Sequence, residues 1–191
     1  INAHKGVVHA RVCARGTACH SSNPKLGKNA IVSLAQAILS IEAGATILES
    51  RPHAQLGPGT LSIGIVRGGH APNIVPDHAE IWVDRRTLPD ESVESVRQEL
   101  EARLHEAGLA EEVYVEECRE EKPPLHTELD SLAVTSCGDA LDSVGLDAGC
   151  DPVSFGTDAG LFGKAGIPGV VLGPGSIDVA HTSREFVPID E

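Results

Sequence analysis

Residues 6–16 (GVVHARVCARG) are rich in β-branched side chains and bounded by glycines, which predicts a strand. The next stretch, 17–27 (TACHSSNPKLG), is dense in Ser, Asn, Pro and Gly and reads as a loop. From Asn29 onward Ile31, Leu34, Ala35, Ile38 and Ile41 recur at helical spacing, with Gly44 as the expected end. After a Pro/Gly stretch at 51–59, residues 60–67 alternate, with Leu61, Ile63 and Ile65 on one face. Residues 70–76 (HAPNIVP) turn the chain. Residues 77–86 alternate again, with Ala79, Ile81 and Val83 opposite His78, Glu80 and Trp82, and the two runs form an antiparallel hairpin. Pro89 precedes a helix over 92–107 with the stripe Val93, Val96, Leu100 and Leu104, capped by Asp90 or Ser92. Residues 112–118 (EVYVEEC) make a last strand.

The resulting order, β-α-β-β-α-β, is that of a ferredoxin-like unit, a four-stranded antiparallel sheet with both helices on one face. Such a sheet leaves an edge strand free to pair with a second copy. Residues 119–126 (REEKPPLH) break the pattern and read as a linker. A helix near 128–143 follows, and GVVLGPG (169–175) reads as a short buried strand of a parallel sheet. The expected organisation is α/β: a complete α+β domain over 1–118, then part of a larger α/β domain over 119–191.

Composition narrows the function classes. The formal charge is −13, and twelve acidic residues between Asp90 and Glu121 face only Arg97, Arg103 and Arg119. Such a surface repels phosphate backbones and anionic membranes, so neither nucleic acid nor membrane is an expected partner. Five widely spaced cysteines without a C-x-x-C pair argue against a disulfide framework and a zinc knuckle, and point to a reducing cytoplasm. No unbroken apolar run approaches the roughly 18 residues of a bilayer span. The chain contains no methionine and opens Ile1-Asn2-Ala3, which reads as an interior stretch of something longer.

Candidate chemistry is scattered. His181 lies in GPGSIDVAHT beyond the expected 169–175 strand, where open α/β sheets place ligand sites, and imidazole is a common metal ligand. Taken singly the candidates have ordinary readings: His181 a loop histidine, His20 an exposed side chain, Asn73 a turn residue, Arg86 a surface cation, Gly156-Thr157-Asp158 a helix cap. The G-x-S-x-G elbow of serine hydrolases is missing, since Ser154 in DPVSFG lacks the leading glycine. Gly163-Lys164 is followed by Ala165, so the phosphate-cradling loop is missing too.

Four segments nevertheless stand in an informative order: ACHSSNPKLGKNAI (18–31), GGHAPNIVPDHAEIWVDRR (68–86), FGTDAGLF (155–162) and LGPGSIDVAHTSREFVPI (172–189). Together they resemble the dinuclear zinc hydrolases that include acetylornithine deacetylase, succinyl-diaminopimelate desuccinylase, aminoacylase and carboxypeptidases. Within that family the last segment, with the Glu185-Phe186 pair, is most similar to the acetylornithine deacetylases, with the desuccinylases as the nearer alternative and dipeptidases as the next. The resemblance implies that His181 is the last zinc ligand of a two-zinc site, with cobalt as an alternative metal. It implies that His20 reaches into a partner subunit to steady an oxyanion, and that Asn73 and Arg86 hold the substrate. Gly156 and Thr157 match positions lining the cleft, and the βαββαβ unit matches a lid that forms homodimers edge to edge. The implied reaction is hydrolysis of an N-acyl amino acid, a step of amino-acid metabolism such as arginine biosynthesis. The family's H-x-D pair, bridging Asp, adjacent Glu-Glu and further acidic ligand should precede the lid and are not in this sequence, and one histidine cannot hold zinc in its usual shell. The chain is therefore expected to be an incomplete, inactive part of the enzyme, or a non-catalytic dimerisation module.

Overall fold

The computed structural model describes residues 1–180 and 182–189. In chain order the elements are β1 (Ala3–His4), β2 (Gly6–Arg15), β3 (Cys19–His20), α1 (Ala30–Glu49), β4 (Thr60–Gly68), β5 (Ile74–Val75), β6 (His78–Thr87), α2 (Val93–Glu106), β7 (Val113–Lys122), β8 (Leu125–His126), α3 (Leu132–Ser143) and α4 (Ala159–Lys164). The four long strands form one antiparallel sheet in the order β4-β6-β2-β7. Helices α1 and α2 cover one face, so the mixed α/β fold with a ferredoxin-like lid is the architecture observed.

Strict alternation builds this core. Val8, Ala10, Val12 and Ala14 from β2 and Ala79, Ile81 and Val83 from β6 point to the helix side. They meet Leu34, Ala37 and Ile41 of α1 and Val96, Leu100 and Leu104 of α2. Both helices start as the sequence demands: the Asn29 side chain accepts from the amides of Ile31 and Val32, and Ser92 forms a capping box with Ser95.

Several expectations need correction. Helix α1 does not stop at Gly44 but runs to Glu49, because Gly44 is a packing glycine: a Cβ there would lie 3.3 Å from Cδ of Arg103 on α2. This 20-residue helix is apolar and long enough by composition to cross a bilayer, beyond what single apolar runs indicated, yet one face of it packs on the sheet. Alternation in β4 breaks at Gly64, where a bulge shifts the register between Ile63 and Ile65 and leaves Ile65 and Val66 exposed. Strand β7 continues through Arg119–Lys122, four residues into the expected linker. Charge does not end it, because His9 and Glu121 meet on the solvated face. Finally, 169–175 is not a strand. It exchanges two hydrogen bonds with Ile1, from Val171 N–H to Ile1 O (2.9 Å) and from the Ile1 amino group to Val171 O (3.0 Å). No ladder flanks it among the described residues, and a parallel strand forms only when its neighbours supply one.

Candidate functional site

The residues singled out from sequence gather at two opposite ends of the sheet. One end is its tip. There β3 and β5 form a short antiparallel ladder, with Cys19 opposite Val75 and His20 opposite Ile74, and Ser21 N–H donates to Asn73 O at 3.0 Å. This ladder sets His20 and Asn73 side by side on a polar, exposed lip. The imidazole is oriented: Nδ1 accepts from Ser22 N–H (3.2 Å) and lies 2.7 Å from Ser22 Oγ. With Nδ1 an acceptor, the neutral ring carries its proton on Nε2, so the group offered outward is an N–H donor.

The lip is fastened to the sheet through Glu112, just before β7. Lys28 pairs with one carboxylate oxygen and Ser33 Oγ donates to the other at 2.8 Å. These hydrogen bonds, Lys28 first, hold the Glu112 carboxyl below the ordinary glutamate range.

The other end is the base. Arg86 is paired with Asp84 through Nε (2.8 Å) and Nη2 (3.2 Å), and Asp84 in turn meets His9 Nε2 at 3.3 Å. Arg86 stands opposite Val7 in the ladder. Gly156 packs on the same strand: a Cβ there would lie 3.5 Å from Val7 Cγ2 and 3.2 Å from Lys122 Cβ. Thr157 follows it and is tied to His4. Thr157 N–H points at His4 Nε2 (3.4 Å), Thr157 Oγ1 lies 3.0 Å from the same nitrogen, and the opposite ring nitrogen lies 3.0 Å from Lys5 O. The structure thus brings Arg86, Gly156 and Thr157 to one place and His20 and Asn73 to another. Eight residues of β6 separate His78 at the tip from Arg86 at the base, about 26 Å at the usual strand rise.

His181 lies outside the described residues. Ala180, just before it, lines a cleft of about 460 Å³ together with Ile1, Phe155, Ile177 and Phe186.

Two residues escaped the sequence reading. His4 is fully buried, and burial lowers its pKa, so the ring is neutral and can accept from Thr157. Its position directly before the first long strand was the available clue. Arg85, next to the singled-out Arg86, points to the helix side and is completely buried, with Glu91 at 2.5 Å and Glu99 at 3.7 Å. Nothing in the sequence singled it out, although it continues the inward alternation of Ala79, Ile81 and Val83. Lys5, beside the guanidinium groups of Arg85 and Arg86, has its pKa lowered by desolvation first and by those charges second.

These features can be set beside known proteins. The model of the M20 peptidase dimerisation domain matches residues 2–112. An acetylornithine deacetylase of Myxococcus xanthus is 30% identical over 196 residues, covering all of this chain and 50% of that protein. One of Vibrio cholerae serotype O1 is 31% identical, covering 98% of this chain and 49% of its own length. The crystal structure of aminopeptidase PepT from Bacillus cereus superposes on 100% of this chain and 49% of its own with a TM-score of 0.70 at 23% identity, a likeness of fold. The chain spans about half the length of the curated relatives it matches. With the matched region covering more than half of the chain, including three of the four sheet strands and both covering helices, the chain belongs to the M20 peptidase dimerisation-domain family.

Proposed function

We propose that the protein to which these residues belong is a metal-dependent amidohydrolase acting on N-acyl amino acids, with acetylornithine as the first substrate to try. The observation that carries this reading is the separation of the candidate residues into a tip pair and a base group. In this reading residues 1–118 are a lid and 119–191 the last part of a catalytic domain. Two copies join through β4, the edge strand with exposed Ile65 and Val66, and through the outer side of α1, where Val32 and Leu39 are exposed. A two-fold axis makes the paired edge strands antiparallel, which sets the tip of one sheet beside the base of the other. His20 and Asn73 of one subunit then serve the cleft whose base is Arg86, Gly156 and Thr157 of its partner.

Each group has a task suited to its chemistry. The Nε2–H of His20 is aimed outward as a donor for a developing oxyanion. Asp84 takes one edge of the Arg86 fork, and a substrate carboxylate takes the other. The Thr157 loop, held by neutral His4, shapes the wall. His181 is the metal ligand this chain contributes, zinc the metal, and the cytoplasm the compartment; all five cysteines are free thiols, as a reducing compartment requires. Among the described residues, neither the pair His20 and Asn73 nor the set Arg86, Gly156 and Thr157 belongs to a group of three metal ligands.

Complementation tests the division of labour. In the protein extended to the length of its relatives, His20→Ala should lower turnover by roughly 10²–10³, and Arg86→Ala should also inactivate. Mixed and re-dimerised, the two variants regain one working site per heterodimer, because one subunit keeps the base and the other keeps the tip. Absence of recovery in verified heterodimers would show that His20 and Arg86 serve the same subunit's cleft, or no cleft at all.

A further inference from the structure

The face of the sheet opposite the helices carries a second cluster with ligand chemistry. Cys13 on β2 stands directly across from Glu80 on β6, and His78, two residues earlier on β6, points to the same side. The Cys13 sulfur, a Glu80 oxygen and a His78 ring nitrogen all lie within 4.8 Å of one another. Cys13 is fully buried, while the Glu80 side chain is 14% exposed and that of His78 is 52% exposed. The three therefore line a pit with sulfur at its floor and imidazole at its rim.

We propose that Cys13, His78 and Glu80 form a binding site for a borderline-soft divalent cation, zinc above all, that clamps β2 to β6 beneath the His20–Asn73 lip. The spacing fits. Around a tetrahedral zinc with bonds of about 2.0–2.3 Å, ligand atoms stand roughly 3.3–3.6 Å apart. His78 Nε2 and Glu80 Oε2 are already 3.8 Å apart, so a small side-chain rotation closes the set. A mixed S, N and O set selects zinc or cobalt over magnesium and calcium, which prefer oxygen alone. Binding exchanges the thiol S–H bond for a sulfur–metal bond, and the proton leaves to solvent. The fourth position is open to water or to Glu116, whose Oε2 already accepts from the Cys13 thiol at 3.4 Å. Two cations flank Glu80, Arg11 at 3.7 Å and Arg67 at 3.8 Å, but Arg11 is itself balanced by Glu116 at 2.7 Å and Glu117 at 3.9 Å. The consequence is mechanical: Gly16 N–H donates to Asp77 O at 2.8 Å just beyond the cluster, so a metal there would stiffen the hinge of the tip.

Cobalt titration of the 191-residue chain under thiol-free reductant tests the site. A thiolate-to-cobalt charge-transfer band should appear, saturate at one equivalent and be displaced by zinc. Cys13→Ser should abolish the band. His78→Gln, at an exposed position, should weaken cobalt affinity tenfold or more while circular dichroism stays unchanged. His181→Ala should leave the titration unaltered, which separates this site from the proposed catalytic one. Absence of the band, its survival in Cys13→Ser, or unchanged affinity in His78→Gln each overturns the proposal; the last decides the matter if Cys13→Ser fails to fold.

Discussion

The two parts of this chain use similar residues and reach opposite outcomes. Within 6–122 nearly every large aliphatic on the inner face is buried, and Leu100, Leu104 and Ile81 are 0–2% exposed. Beyond Leu125, Thr127 and Gly160 are the buried residues among those described, while Leu132 is 81% exposed, Leu172 63%, Phe186 61% and Ile189 101%. The difference is one of partners. The first part closes its apolar face with its own two helices. The second covers its apolar faces only in part: Val134, Cys137 and Leu141 of α3 line a small cleft with Val170, Val171 and Ile1, while Leu132, Leu161 and Phe162 stay exposed. Leaving one large aliphatic in water forgoes roughly 1.5–3 kcal/mol of burial, so a series of them marks a surface meant to be covered. That agrees with the proposal that more chain completes this half.

The sharpest way to break the comparison is to truncate one leucine in each part. Leu104→Ala should destabilise the fold by about 2–5 kcal/mol, since it empties a site walled by the sheet. Leu132→Ala should stay within about 0.5 kcal/mol. Urea unfolding followed by circular dichroism reads both. Equal effects would mean that 127–189 packs in solution far more tightly than its exposure implies.

Ion pairs make the same contrast on a smaller scale. Arg85 sits fully buried beneath Gly59, and its Nε finds no acceptor, so its charge depends on Glu91 and Glu99. Glu91→Gln should cost about 2–3 kcal/mol, because it leaves a buried guanidinium poorly compensated. Between the two parts, Lys122 at the end of β7 pairs with Asp158, whose side chain is 73% exposed. Asp158→Asn should be nearly silent, within about 0.5 kcal/mol. Thermal melts of the two variants at one salt concentration check this, and a large shift for Asp158→Asn would sink the contrast.

How much of this was legible in the sequence follows the same divide. The βαββαβ order was readable because alternation at Ala79, Ile81 and Val83 and the stripe Val96, Leu100 and Leu104 are local signals that the fold satisfies locally. Gly44 misled because a glycine chosen for close approach of Arg103 looks identical to one chosen for a cap. The 169–175 segment misled because strand propensity is only realised when neighbours form a ladder. His20 and Asn73 were named from a pattern, but that β3 and β5 bring them together while Arg86 stands at the opposite end of β6 follows from pairing that no local signal encodes. Arg85 and Cys13 were hidden for a different reason: each looks ordinary until the side chains folded against it are known, Glu91 and Glu99 for Arg85 and Glu80 for Cys13.

His4 joins the two parts, and pH provides the gentlest test of that joint. Its ring is buried and neutral, accepting from Thr157 N–H, and its pKa lies below the ordinary value near 6.5 because burial disfavours the imidazolium. The sign follows from proton counting. Below about pH 6.5 the opened chain binds a proton that the closed state refuses, so closure weakens as pH falls and is at full strength above that value. Amides of Thr157 and Ala159, read by hydrogen exchange corrected for intrinsic rates, should therefore lose protection between pH 7.5 and 5.5, while amides of β2 and β6 hold. His4→Gln keeps a neutral side chain with both donor and acceptor. It should cost about 1 kcal/mol, the ordinary worth of a hydrogen bond, and flatten the pH dependence of those two amides. If protection at Thr157 is indifferent to pH in the unsubstituted protein, neutral His4 is not what couples the first strand to the 156–160 loop.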